Sequence, residues 1–127
     1  MDTSALMMPV EVGVRLFDEL DRLLESYDPI VPFSVLDELD ALSSSQGDVA
    51  RAAAVGRDLA GRCTPVETEA GYADDALVEL ARTGEVDAVV TNDAPLKKRI
   101  LDWNTPVIHL RGRNKLALTK PCTNESD

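Results

Sequence analysis

Apolar residues recur at Val14, Leu16, Phe17, Leu20, Leu23 and Leu24 within GVRLFDELDRLLESY, the spacing of an amphipathic helix. A short apolar piece, Ile30 and Val31, follows and is stopped as a strand by Pro32. Ser34 is then placed to cap a helix that carries Val35, Leu36, Leu39 and Leu42. SSSQGD is a loop signal and DVARAAAVGRDLAGRC an Ala-rich helix. CTPVE predicts a short strand, after which Gly71 and an acidic pair introduce the helix DDALVELARTG, closed by Gly84. VDAVVT then predicts a strand, APLKKRILDW a helix and TPVIHL another strand. RGRNKLALTK predicts a final edge strand, and PCTNESD a disordered end.

Short apolar strands that alternate with helices predict an α/β protein, three-layer α/β/α with a central parallel sheet. One domain is expected over residues 1–118, followed by a disordered tail, 119–127. In such sheets sites form outside the carboxyl ends of the strands, so residues at strand-to-helix junctions matter most.

Composition narrows the classes. At 127 residues the chain is one domain, long enough for a real core. It holds no run of about 18 apolar residues, and its start lacks the basic stretch of a signal peptide, so a cytoplasmic protein without membrane association is expected. Cys63 and Cys122 stand far apart, with no CxxC and one histidine, His109, which argues against a thiolate zinc site and implies no disulfide framework. Cys63 reads as a small core residue.

Charge is unevenly spread. Residues 1–93 carry 6 Lys and Arg against 20 Asp and Glu, a net of −14, whereas residues 94–127 carry 7 against 3, a net of +4. Only 4 of the 13 basic residues are Lys and Asp outnumbers Glu by 14 to 9, a balance suited to a halophilic protein kept soluble at high salt. High salt also screens the repulsion between an acidic surface and a polyanion.

Four acidic positions fall near strand-to-helix junctions: Asp2 at the start, Glu38 one turn into its helix, Asp74 or Asp75 opening the helix after TEAGY, and Asp93 after the strand ending at Thr91. Each has an ordinary explanation. Asp74 or Asp75 fits a helix N-cap, Asn92 or Asp93 fits the cap before Pro95, and Glu38 fits a solvated helix face. Together, carboxylates converging on one sheet edge repel one another unless a cation lies between them. Oxygen ligands of this kind suit Mg2+ or Mn2+.

Taken in order, DTSALMMPVE, VLDELDAL, YADDALVELA and VVTNDAPLKKRI resemble the four acidic motifs of the PIN domain, a family of metal-dependent ribonucleases. The resemblance covers residues 2 to about 118. YADD followed by TND and a basic helix is more similar to the archaeal branch of small-subunit ribosomal RNA processing endonucleases than to the VapC toxins. Its alignment maps the acidic positions to Asp2, Glu38, Asp75 and Asp93, with Asp74 a neighbour of the third. Family members carry several apolar residues before the first Asp, where only Met1 stands here, so either the start codon lies further upstream or most of that strand is lacking.

The resemblance implies hydrolysis of RNA phosphodiester bonds by a metal-activated water. Asp2, Glu38, Asp75 and Asp93 would hold one or two Mg2+ or Mn2+ ions, with Asp74 as the alternative ligand. Thr3, Ser4, Thr91 and Asn92 would orient those carboxylates. Lys97, Lys98 and Arg99, with Arg111, Arg113 and Lys115 further on, would face RNA phosphates. Aromatic residues make up only 4%, which argues against a base-stacking platform. A non-catalytic PIN-like module in a larger assembly and the toxin half of a toxin and antitoxin pair are the alternative readings. The protein partners to be expected are a second copy in a homodimer, an antitoxin, or a ribosome-assembly factor. Met7 and Met8 belong to the core or to such a partner surface.

Overall fold

In the computed structural model, which describes residues 1–121, helices follow strands at nearly every step. Of the expected disordered tail, 119–127, Thr119 is the last residue of a strand, and Cys122 and the residues after it lie outside the described residues. Helix α1 spans Thr3–Glu11, α2 Leu16–Leu23, strand β1 Ile30–Pro32, α3 Phe33–Ser43 and α4 Gly47–Leu59. A 3-10 turn over Ala60–Arg62 leads to β2 at Thr64–Val66, and α5 covers Ala73–Thr83. Next come β3 at Val89–Val90, α6 at Ala94–Asp102, β4 at Val107–Arg111 and β5 at Lys115–Thr119.

β1 pairs parallel with β2, β3 pairs parallel with β4, and β5 closes the far edge antiparallel to β4. Met1 and Asp2 stand between the two halves. The Met1 amino group donates to the Ile30 carbonyl at 2.9 Å, and the Asp2 N–H donates to the Val90 carbonyl at 3.1 Å. Consecutive strand residues point to opposite faces, and Val89 and Val90, like Val107 and Ile108, are all buried. Both faces are therefore covered by helices, the three-layer α/β/α arrangement the sequence predicts.

Below Met1 the two halves are separated by a cavity of about 670 Å3, bordered by Tyr27, Ile30, Leu77 and Val89. VDAVVT predicts six strand residues, and only Val89 and Val90 form ladder pairs.

Two further local differences have clear causes. Residues 3–11 carry no predicted element, yet form α1 with Pro9 inside it. Asp2 starts that helix by accepting from the Ala5 N–H at 2.8 Å, and Ala5, Leu6, Met7 and Met8 are buried beneath it. Met7 and Met8 thus belong to the core. Ser34 does not cap α3: the helix begins directly after Pro32, and the Ser34 hydroxyl sits buried with no hydrogen-bond partner. Gly84 closes α5 as expected, in the left-handed region at φ 76°.

Small residues let α4 lie close to α1 and α3. Ala52, Ala53 and Gly56 are buried, and a methyl group at Gly56 would stand 2.9 Å from the Leu6 carbonyl oxygen. At the other end of the sheet, α2 covers the open edge of β5 with a charged pair. Glu19 accepts from the Leu116 N–H at 2.9 Å, and Arg22 donates to the Leu116 carbonyl at 2.7 Å, so both outward backbone groups of Leu116 are satisfied. Arg22 and then the Leu116 N–H hold the Glu19 carboxyl down at about 2.

Gly56→Ala gains helix propensity but forces α1 and α4 apart, and a net loss of about 1–2 kcal/mol in denaturant unfolding is the expected result. Because the Glu19 carboxyl is depressed in the folded state, its contribution is full above its ordinary range near 4.5 and fades as pH falls towards about 2. Acid titration of Glu19→Gln should accordingly show lower stability than the natural protein at pH 6, with the two converging near pH 2.

Candidate active site

The carboxyl ends of the parallel strands meet the starts of their helices along one edge. Asp2 opens α1, Phe33 opens α3 after β1, Tyr72 caps α5 in the segment after β2, and Asp93 caps α6 after β3. These helix N-termini offer positive dipole ends to an anion.

Asp2 is 3% exposed, and its carboxylate is held by the Ala5 N–H, by the Ser4 hydroxyl at 2.9 and 3.0 Å, and by the Thr91 hydroxyl. Burial pushes the Asp2 carboxyl up, against the opposing pull of Thr91, Ala5 and Ser4. The Thr91 hydroxyl in turn accepts from the Asp93 N–H at 3.1 Å, and Ser4 Oγ accepts from the Asn92 N–H at 2.9 Å. Asp93 Oδ1 caps α6 by accepting from the Leu96 N–H at 3.1 Å. Across the edge, the Thr3 hydroxyl donates to Glu38 Oε1. Ser4, Thr91 and Asn92 therefore take part in one network that joins the first and fourth acidic positions, and Thr3, next to Asp2 in sequence, bonds separately to the second.

The third position is split. The Asp74 carboxyl is pushed up, first by desolvation and then by the like charges of Asp93 and Glu38, with Arg99 pulling the other way. Asp74 is thus the member of its pair that shares a field with the other acidic positions. Asp75 instead forms a salt bridge with Arg99 at 2.9 Å. Neither residue caps α5, which starts without a side-chain cap, although both lie in its first turn, where the helix dipole favours acidic side chains. Arg99 is engaged by this pair, whereas Lys97 and Lys98 form no salt bridge among the described residues. Arg111 and Arg113 lie at the hairpin after β4, on the same edge one strand further along, and Lys115 pairs with Glu19 at 3.9 Å.

Two features escape a reading of sequence alone. Glu79 accepts from the N–H groups of Glu69 and Ala70 at 3.0–3.1 Å, which fixes the loop that delivers Asp74. Three of the five aromatic side chains are at the surface, and two of them, Phe33 at 46% and Tyr72 at 79% exposed, stand on this edge. Low aromatic content therefore does not mean an edge without rings.

A family model described as a PIN like domain matches residues 1–113. The chain belongs to the PIN-like domain family. Among curated relatives, Ribonuclease VapC4 of Methanocaldococcus jannaschii is 29% identical over 114 residues, covering 87% of each chain. Among solved structures, the PIN domain endonuclease Utp24 superposes with a TM-score of 0.76 at 25% identity, over 94% of this chain and 88% of that one. No helix among the described residues is long and apolar enough to cross a membrane.

Repulsion at Asp74 yields a direct test. A carboxyl raised in the folded state favours folding at low pH, and that advantage is lost as pH rises from its ordinary value of 3.8 through the folded one. Asp74→Asn should therefore melt higher than the natural protein at pH 7 without added divalent ions, the difference shrinking towards zero near pH 3.

Proposed function

We propose that this protein is an endoribonuclease that hydrolyses RNA phosphodiester bonds with the help of Mg2+ or Mn2+. The observation that carries this reading is that Asp2, Asp74 and Asp93 stand at helix starts on one edge, with Thr91 bonded to Asp2 and to the Asp93 amide and Thr3 to Glu38; desolvation and then the like charges of Asp93 and Glu38 push the Asp74 carboxyl up. Like charges held together without a neutralising partner disfavour folding, and a divalent cation relieves that cost. Membership of the PIN-like family and the similarity to a ribonuclease and an endonuclease support the same activity.

The donor set fits a hydrated hard cation better than a protein cage. All candidate ligands are carboxylate oxygens, and no three His, Cys, Asp or Glu side chains among the described residues stand close enough to chelate an ion together. Mg2+ suits such a site, since it keeps several waters and binds through one or two carboxylates plus a substrate phosphate. One or two of Asp74, Asp93 and Glu38 would hold it, with water and the substrate phosphate completing its shell. Bound there, the ion would lower the pKa of its water and offset charge on the phosphoryl oxygens.

The remaining residues act by position. Thr91 and Ser4 hold Asp2 and orient the backbone that carries Asp93, and Thr3 holds Glu38. Asp2, buried and already accepting from three groups, fixes this edge from behind. Arg99 draws Asp75 away, so Asp74 takes the role that motif alignment gives to Asp75. Ribosomal RNA processing is the setting favoured by YADD, TND and the basic helix, with action as a toxin the alternative.

Cleavage of a labelled structured RNA with Mn2+ or Mg2+ at high salt tests the assignment. Asp93→Asn keeps a good N-cap, so the fold should survive while the rate falls about 100-fold or more. Asp74→Asn should lose as much, and Asp75→Asn should stay within a few-fold of the natural protein. If none of these proteins cuts although all bind RNA, the non-catalytic module becomes the better reading.

A further inference from the structure

The lysines are distributed unlike the other charges. The chain has four, and three of them, Lys97, Lys98 and Lys120, line one cleft between α6 and the end of β5. Lys115, the fourth, pairs with Glu19, whereas none of these three forms a salt bridge among the described residues. Asp102 is the single acidic residue in the lining. In a chain of net charge −10, three unpaired ammonium groups around one concave surface form a local anion site.

The cleft is also placed and shaped for a strand. It begins at Ala94, the residue after Asp93, and runs along α6, whose nine residues extend about 14 Å at 1.5 Å per residue. At its far end lie Asn104, Thr119 and Lys120. There Asn104 takes φ 63° and the chain turns back, beside Trp103 at 50% exposure. The cleft measures about 570 Å3, the scale of a small-ligand site. Trp103 is not itself in the lining but falls in sequence between two residues that are, Asp102 and Asn104; single-stranded nucleic acid is held where cations follow the phosphates and exposed rings stack bases.

We infer that one arm of a single-stranded RNA leaves the acidic edge through this cleft, its phosphates on Lys97, Lys98 and Lys120 and a base stacked on Trp103. The inference rests on the proposed ribonuclease reading for its substrate, but binding tests it without any cleavage. Arg111 and Arg113, on the edge beyond β4, are the competing route.

Trp103 is the sole tryptophan, so its fluorescence reports on this site directly. The full chain carrying Asp93→Asn would be titrated with a single-stranded uridine oligonucleotide and with a duplex of the same length, across a salt series. The single strand should quench Trp103 and the duplex should not. Each phosphate contact contributes about 0.7 to the salt slope of single-strand binding, so replacing all three lysines by Gln should lower that slope by about 2. These side chains lie at the surface, and an unchanged melting temperature checks the fold. Binding without quenching, a slope that the triple variant leaves unchanged, or no binding at all would overturn the inference. Quenching by a protein that proves unable to cut RNA would uphold the track while the nuclease reading fails.

Discussion

The buried carboxylate of Asp2 is the point on which the acidic edge depends. A carboxylate at 3% exposure is costly unless its oxygens are satisfied, and here a helix-start amide and two hydroxyls satisfy it. Those three donors belong to α1 and to the end of β3, so the same bonds that make burial tolerable lock the first helix to the strand that ends beside Asp93. Thr91 carries the constraint onward, donating to Asp2 and accepting from the Asp93 amide. The position of α6 and of its cationic flank follows from that bond.

Electrostatics then divides the labour. Acidic residues prevail over the first three quarters of the chain and supply the carboxylates at the edge. Cations are placed differently: Arg22 and Arg99 are held by Glu19 and Asp75, while Lys97 and Lys98 on α6 and Lys120 after β5 form no salt bridge among the described residues. A negatively charged protein can therefore offer a polyanion a confined positive path beside its acidic centre.

Much of this was legible in sequence because the relevant signals are local. Period and punctuation placed α2 to α6 and the strands of both parallel pairs, and the junction rule put Asp2, Glu38, the Asp74–Asp75 pair and Asp93 on one edge. What was not legible depends on contacts between distant residues. Pro9 hid α1, whose formation rests on Asp2 as cap and on the core beneath Leu6. Asp74 and Asp75 are adjacent and chemically identical, so only the packing of α6 against α5, which brings Arg99 to Asp75, separates them. The exposed positions of Phe33, Tyr72 and Trp103 reflect where helices begin and end on the folded surface, which composition does not encode.

Carboxyl carbon NMR of labelled protein during titration with Mn2+ tests the central claim most directly, because the paramagnetic ion broadens the groups nearest to it. At substoichiometric Mn2+ the signals of Asp74, Asp93 and Glu38 should vanish first, while Asp75 and Glu79 persist. Loss of Asp75 ahead of Asp74, or uniform broadening across the acidic surface, would contradict an ion site built by this edge.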